Sequence, residues 1–254
     1  MTIPDPADRS VARVAYRARF DECGPDTVAR PSALMRWAQD VAWIHSERLG
    51  FGREWYADRG LAWVVRALEL VLLGAVPMAS TVDVETRVVG LRRVMARRRT
   101  DVLAADGSLV ARILNDWVMT DVRRAAPARV PEDFPALFRV PPEGYEPIRV
   151  PLPPTPAEAL RLPVVARPHE LDPMAHVNNA AYLDWLDEAI GATGPAGASA
   201  IATVPRTYRL EYLLPVGLGV DHVATSWPTG DDGWAYRLAR ADGVDALRGT
   251  LKAG

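Results

Sequence analysis

Cysteine is almost absent: Cys23 is the only one in 254 residues. A single thiol excludes an internal disulfide framework and any cysteine-built metal cluster, and it fits a reducing compartment. Lysine is equally scarce. Lys252 stands alone, so nearly all of the 30 basic residues are arginine. Neither sign of charge dominates, because 32 acidic residues bring the formal net charge to −2, which argues against a dedicated nucleic-acid binder. Long apolar runs are missing as well. The most apolar region, Leu68 to Ala79, is interrupted by Glu69, Gly74 and Pro77 and is too short to span a bilayer. No signal-peptide stretch follows the opening Met1-Thr2-Ile3-Pro4-Asp5-Pro6. The histidines, at 45, 169, 176 and 222, show no metal-ligand spacing. Gly-x-Gly-x-x-Gly, a Walker loop and Gly-x-Ser-x-Gly are all lacking, which argues against nucleotide-binding and serine-hydrolase classes. The expectation is a cytoplasmic protein with no metal, no membrane span and no nucleic-acid partner.

What is present is an ordinary globular composition, 49% hydrophobic and 24% charged, with enough chain to bury one large core or two smaller ones. Ten of the 22 prolines fall between Pro127 and Pro156. Such density argues against a helix or a central strand and predicts an extended connector. The chain therefore divides into residues 1–125, a connector at 126–160, and residues 161–254.

The two flanking parts repeat one another. Each opens with a strand-like run, Val14 to Phe20 and Val164 to Pro168. Each continues into a helical stretch around a tryptophan, Trp37 and Trp185, and then a longer strand-like run, Trp63 to Leu73 and Thr207 to Leu214. Each later carries Ala-Asp-Gly, at 105–107 and 241–243, a strong hairpin signal because a tight primed turn needs positive φ. Both helices are apolar over most of their circumference. The second leaves only Asp184, Asp187 and Glu188 for water, the pattern of a broadly buried helix. The fold class is α+β, one helix wrapped by a curved antiparallel sheet, twice.

The densest polar cluster is Glu170-Leu171-Asp172-Pro173-Met174-Ala175-His176-Val177-Asn178-Asn179, immediately before the second helix. A carboxylate and an imidazole four residues apart in a turn can face one cavity and supply a base or nucleophile with its partner. The N–H groups of the helix start can stabilise an oxyanion. Asp and Asn are also preferred helix caps, and His176 fits a satisfied core histidine equally well. On the residues alone both readings stand.

Asp172-Pro-Met-Ala-His-Val-Asn-Asn-Ala-Ala-Tyr-Leu-Asp-Trp185 resembles the signature of hotdog-fold thioesterases, Asp-x-x-Gly-His-Val-Asn-Asn-x-x-Tyr. The whole chain resembles the acyl-ACP thioesterase family, a tandem double hotdog. That likeness rests further on Pro31-Ser-Ala-Leu34, Gln39, His45 and Leu49-Gly50, together with Trp63-Val-Val-Arg66, Asp116-Trp-Val-Met-Thr-Asp121 and Arg123-Arg124. It implies hydrolysis of acyl-ACP without a cofactor, and a role in fatty acid biosynthesis. Asp172 would be the carboxylate that activates water or attacks the carbonyl, His176 its helper, and Asn178 and Asn179 the residues orienting the loop.

The chain departs from the plant members in carrying Met174 where they have asparagine, and Pro215 and Val216 where they have Glu-Cys. Acyl-CoA or polyketide-type thioesters are the alternative substrates, and a non-catalytic acyl-binding module is the alternative class. The first half has no equivalent site, since Gly24 and Val28 stand where Asp172 and His176 would fall. In the family that half houses the acyl chain, which nominates Met35, Trp37 and Trp63 as pocket residues. The arginines at 92, 93, 97, 98 and 99, with 123, 124 and 129, are either a surface that steers an acidic carrier protein or a solvated strand face. A tandem chain satisfies hotdog pairing internally and leaves room for a homodimer.

Overall fold

The structure is a computed structural model that describes residues 9–140, 144–230 and 232–254. The segment from Met1 to Pro6 and the connector's Pro141 and Pro142 lie outside them. The chain forms two compact units: Met1–Ala29, Leu34–Arg66 and Ala75–Pro147 in one, Arg30–Ala33, Ala67–Gly74 and Ile148–Gly254 in the other.

The first unit contains β1 (Val11–Arg17), α1 (Pro31–Arg48) from Leu34 onward, α2 (Arg53–Arg59) and the opening of β2 (Leu61–Leu72). It continues with β3 (Thr81–Leu91), β4 (Met95–Leu103), β5 (Leu109–Asp121), the two-residue β6 (Ala126–Pro127) and α3 (Phe134–Leu137). Its antiparallel strands run in the order β1-β3-β4-β5. The second unit contains β7 (Leu160–Val164), α4 (Ala181–Gly191), α5 (Pro195–Ala202), β8 (Arg206–Tyr212), β9 (His222–Gly230), β10 (Gly233–Arg240) and β11 (Asp245–Ala253). Its strands run β7-β9-β10-β11-β8. Ala67–Leu72 of β2 pair with the other edge of β8. In both units the first strand lies outermost beside the third, the same winding made twice.

The local chemistry explains the match. Gly107 and Gly243 turn the β4–β5 and β10–β11 hairpins at φ 81° and 85°, a region a side chain disfavours. In each turn the aspartate Oδ1 accepts a backbone N–H two residues on, Ser108 at 2.9 Å and Val244 at 3.1 Å. Hydrogen bonds from the Ser108 side chain and, next, from its backbone N–H hold the Asp106 carboxyl below the usual carboxylate range. On α4, Leu183, Leu186 and Ile190 are wholly buried with Tyr182 and Trp185 beside them. Each such aliphatic side chain stabilises the fold by about 1.5–3 kcal/mol.

Three expectations need correction. The strand opening the second half is Leu160–Val164, earlier than Val164 to Pro168. Phe20 lies beyond β1, in a single 3-10 turn, and is 84% exposed. The connector is not wholly extended, because α3 sits inside it. Pro135 falls in the first turn of that helix, where its missing N–H removes no helical bond. Phe134 and Phe138 are buried against Phe51, with ring centroids 4.2 and 5.8 Å away, and Leu49, Tyr56 and Met119 complete that core.

Asp187 on α4, expected to face water, instead turns inward and accepts a hydrogen bond from Tyr208 Oη at 2.9 Å, and Arg206 Nε donates to that hydroxyl at 2.8 Å. Burial pushes the Asp187 carboxyl up to about 7, against the lowering effects of Tyr208 and Arg206. The folded state therefore holds a proton that the unfolded chain has already released above its ordinary value. Stability falls as pH rises towards about 7 and levels off beyond. Asp187→Asn keeps an acceptor for Tyr208 and removes the titration. Urea denaturation should find the variant at least as stable as wild type at pH 8, with a flatter profile between pH 5 and 7. A profile identical to wild type would show that Asp187 is already ionised throughout.

Candidate active site

The loop before α4 is closed by its own backbone. Asp172 N–H donates to His176 O at 2.8 Å, Ala175 N–H donates to Asp172 O at 2.9 Å, and Leu171 bridges to Val177. Ala175 takes φ 60°, which lets the chain double back. Val177 N–H donates to Val216 O at 2.8 Å, tying the loop to the segment after β8. Tyr182 is buried beside this segment's loop, and burial pushes its phenol above the usual range.

Within this frame Asp172 is half-buried. Its Oδ1 accepts from Met174 N–H at 2.8 Å and His176 N–H at 3.3 Å. Its Oδ2 accepts no hydrogen bond among the described residues. The His176 side chain is exposed. Asn178 Oδ1 accepts the Ala180 N–H at 2.9 Å, an Asx turn that leads the chain into α4. The Asn179 carbonyl accepts from Tyr212 Oη at 2.9 Å, and its N–H donates to no group among the described residues. One turn thus carries a carboxylate oxygen, an imidazole and a helix-start N–H, none of them consumed by the loop.

The first unit contains the same loop 148 residues earlier (24 to 172, 28 to 176). Gly24 N–H donates to Val28 O, Thr27 N–H donates to Gly24 O, Cys23 bridges to Ala29, and Thr27 takes φ 60°. The carboxylate that braces it is displaced by two positions: Asp26 Oδ1 accepts the Val28 N–H at 3.1 Å. A Cβ on Gly24 would lie 2.8 Å from that oxygen. Closing this loop therefore does not require an aspartate at the position of Asp172.

A second repeated feature escaped sequence reasoning. Trp185 Nε1 donates to Glu170 Oε1 at 2.9 Å, and Glu170 Oε2 accepts from Arg167 N–H at 2.6 Å. In the first unit Trp37 Nε1 donates to Glu22 Oε1 and Arg19 N–H to Glu22 Oε2, both at 3.0 Å. These bonds pin each helix to the turn before its loop. Equal Glu-to-Trp spacing in the two halves was the available signal.

The other nominated residues, Met35, Trp37 and Trp63, fall in the first unit. Met35 is buried, with Asn115 Nδ2 3.6 Å from its sulfur. Trp37 is buried and stacked on Tyr16. Trp63 donates to Tyr56 Oη at 3.0 Å and meets Phe134 edge-on.

Glu211 has both carboxylate oxygens engaged, by Arg149 Nη1 at 2.8 Å and Val150 N–H at 3.0 Å. It braces the connector and stands outside the loop's chemistry. His45 is buried, its Nδ1 2.9 Å from Arg98 Nη1 and its Nε2 2.9 Å from Arg9 O. A guanidinium only donates, so Nδ1 accepts and Nε2–H donates to the carbonyl, which fixes a neutral tautomer.

The arginine run on β4 is not an open basic face. Arg97 grips the fully buried Asp116 through two bonds of 2.7 and 2.8 Å, Arg98 points inward, and Arg99 pairs with Asp101 at 3.3 Å. Carrier steering by Arg97 and Arg98 is therefore replaced by a structural role.

Residues 9–138 match the family model for the acyl-ACP thioesterase N-terminal domain. The chain is 28% identical over 199 residues to a chloroplastic palmitoyl-acyl carrier protein thioesterase of Cuphea hookeriana, covering 72% of this chain and 47% of that one. It is 27% identical over 196 residues to a chloroplastic dodecanoyl-[acyl-carrier-protein] hydrolase of Cinnamomum camphora, covering 71% and 51%. The chain thus spans about half the length of these curated relatives. Its fold superposes on that of an acyl-ACP thioesterase from Bacteroides thetaiotaomicron with TM-score 0.82 at 15% identity, covering 96% of this chain and 98% of that one. It also superposes on a 12:0-ACP thioesterase from Umbellularia californica with TM-score 0.78 at 20% identity, covering 96% of each. The double-hotdog fold is therefore the observed one.

Proposed function

Because the chain belongs to the acyl-ACP thioesterase family, we propose that it hydrolyses acyl thioesters, with an acyl group on the phosphopantetheine arm of a carrier protein as its first substrate. The observation that carries this reading is the division of labour in the Asp172 carboxylate. One oxygen braces the loop and the other is unengaged among the described residues, while Gly24 occupies the matching place in a loop that closes without an aspartate there.

In this proposal the loose oxygen of Asp172 takes a proton from water, and the resulting hydroxide adds to the thioester carbonyl carbon. The Asn179 N–H, at the start of the helix, receives the oxyanion. The carbon–sulfur bond then breaks, the carbonyl reforms, and the thiolate takes the proton back from Asp172. The exposed imidazole of His176 orients the water or the carbonyl oxygen. A thioester has little resonance to lose and a good leaving group, so one positioned base and one donor meet the need. No step calls for a cofactor. A role in fatty acid biosynthesis goes with this reading, and a cytoplasmic location is proposed beside it on the scarcity of cysteine.

The test is thiol release by the wild-type protein from acyl-ACP and acyl-CoA series. Hydrolysis should be found, with higher kcat/KM on the carrier-protein series. Equal or better turnover of acyl-CoA would move the substrate assignment. Ligand-dependent thermal stabilisation without any thiol release would identify an acyl-binding module and overturn the hydrolase reading.

A further inference from the structure

The first unit gathers exposed arginines at one end of its sheet. Arg93 lies in the β3–β4 turn, Arg123 and Arg124 in the β5–β6 turn, and Arg129 on the segment just after β6; all four are exposed. The backbone draws these turns together. Met119 N–H donates to Val94 O, Ala128 N–H to Met119 O, Val130 N–H to Arg93 O, and Val122 N–H to Gly60 O.

The Arg123 side chain lies over Gly60, where an added Cβ would sit 3.3 Å from its Nε. Among the described residues Arg93, Arg123 and Arg129 have no ion-pair partner, and Arg124 approaches Asp121 only at 3.8 Å. Asp121 turns its Oδ1 to the backbone N–H groups of Arg123 and Arg124, at 2.9 and 3.0 Å, so it shapes the turn that displays them. Exposed Glu132 and Asp133 follow in the chain. The arrangement contrasts with β4 a few residues away, where Arg97 and Arg99 are each matched to a carboxylate.

We propose that this cluster of turns is the docking surface for the acidic face of the carrier protein that delivers the acyl group. The proposal rests on the hydrolase reading for the identity of its partner. Guanidinium groups left without counter-charges raise the local potential, and they accelerate encounter with an acidic partner. Their distribution over separate turns fits an extended acidic surface. The 3′-phosphate and diphosphate of coenzyme A would call for donors gathered on a compact site.

The experiment measures the Kd of non-acylated carrier protein by titration calorimetry at low and high salt, and in parallel the turnover of acyl-pantetheine, which lacks the carrier. The variants are Arg123→Glu/Arg124→Glu and, independently, Arg93→Glu/Arg129→Glu. Each should weaken carrier binding about tenfold or more at low salt and flatten its salt dependence, while acyl-pantetheine turnover stays at the wild-type level. Unchanged carrier affinity in both variants overturns the proposal, as does a loss on acyl-pantetheine equal to that on the carrier. If wild type binds the carrier through this surface and releases no thiol from any substrate, the docking assignment stands and the hydrolase reading falls.

Discussion

Asp172→Asn should leave a folded protein whose thiol release is reduced by about 10² to 10⁴-fold, the range that a positioned general base contributes. The amide oxygen still accepts the Met174 and His176 N–H groups, so the loop keeps its brace and loses only the ability to take a proton. A companion variant sharpens the result. Asp172→Gly combined with Met174→Asp copies the first unit, where Gly24 and Asp26 occupy those two places. That protein should close its loop in the manner already built elsewhere in the same chain, and be as inactive as Asp172→Asn. Retention of activity within tenfold in either variant would remove Asp172 from the chemistry and leave it as a loop brace. The measurement is kcat from thiol release, with circular dichroism and thermal midpoint showing that the fold is intact.

Arg97→Ala should cost about 3–5 kcal/mol, the usual consequence of stripping a buried charge of its partner. Asp116 is 0% exposed, and Arg97 meets it with two parallel bonds. The same guanidinium stacks on the Tyr145 ring at 4.3 Å and donates to Glu146 O, so its removal also loosens the connector from the sheet. Arg97→Lys keeps the charge but gives up the fork and the planar stack, and should recover only part of the loss. Chemical denaturation followed by tryptophan fluorescence would measure both variants. A loss below about 1 kcal/mol for Arg97→Ala would mean that water reaches Asp116 and screens it as it does surface pairs.

The architecture was legible where local chemistry and global fold agree. The Asp-Gly turns sit between the paired strands, and the apolar circumference of α4 is buried as its pattern demands. The correspondence of Gly24 with Asp172 and Val28 with His176 could be read from the two tryptophans, and the loop hydrogen bonds follow the same register. Strand ends were less legible, because Val164 to Pro168 is apolar enough for a strand while pairing with β9 stops at Val164.

The arginines of β4 were the least legible. A strand places alternate side chains on opposite faces, so a basic run splits into inward and outward members. Whether the outward ones meet carboxylates depends on the register with β3 and β5, which a single sequence does not display. Arg98 turns in towards His45 across 53 residues of chain, a pairing that no local pattern announces. In the site loop the residues themselves were visible. What was hidden was that the loop would occupy only one Asp172 oxygen, in a turn that needs a left-handed residue at Ala175, which lacks the usual preference for it.

The aromatic helix lodged in the proline-rich segment means that residue 125 is a boundary in composition and not a seam in the solid. Cutting there would peel Phe134 and Phe138 away from Phe51 and His45, and would bare a greasy wound on a piece that looks self-sufficient when its letters are counted. Any attempt to shorten, graft or circularly permute this protein should therefore carry the chain at least to Val140 before letting go.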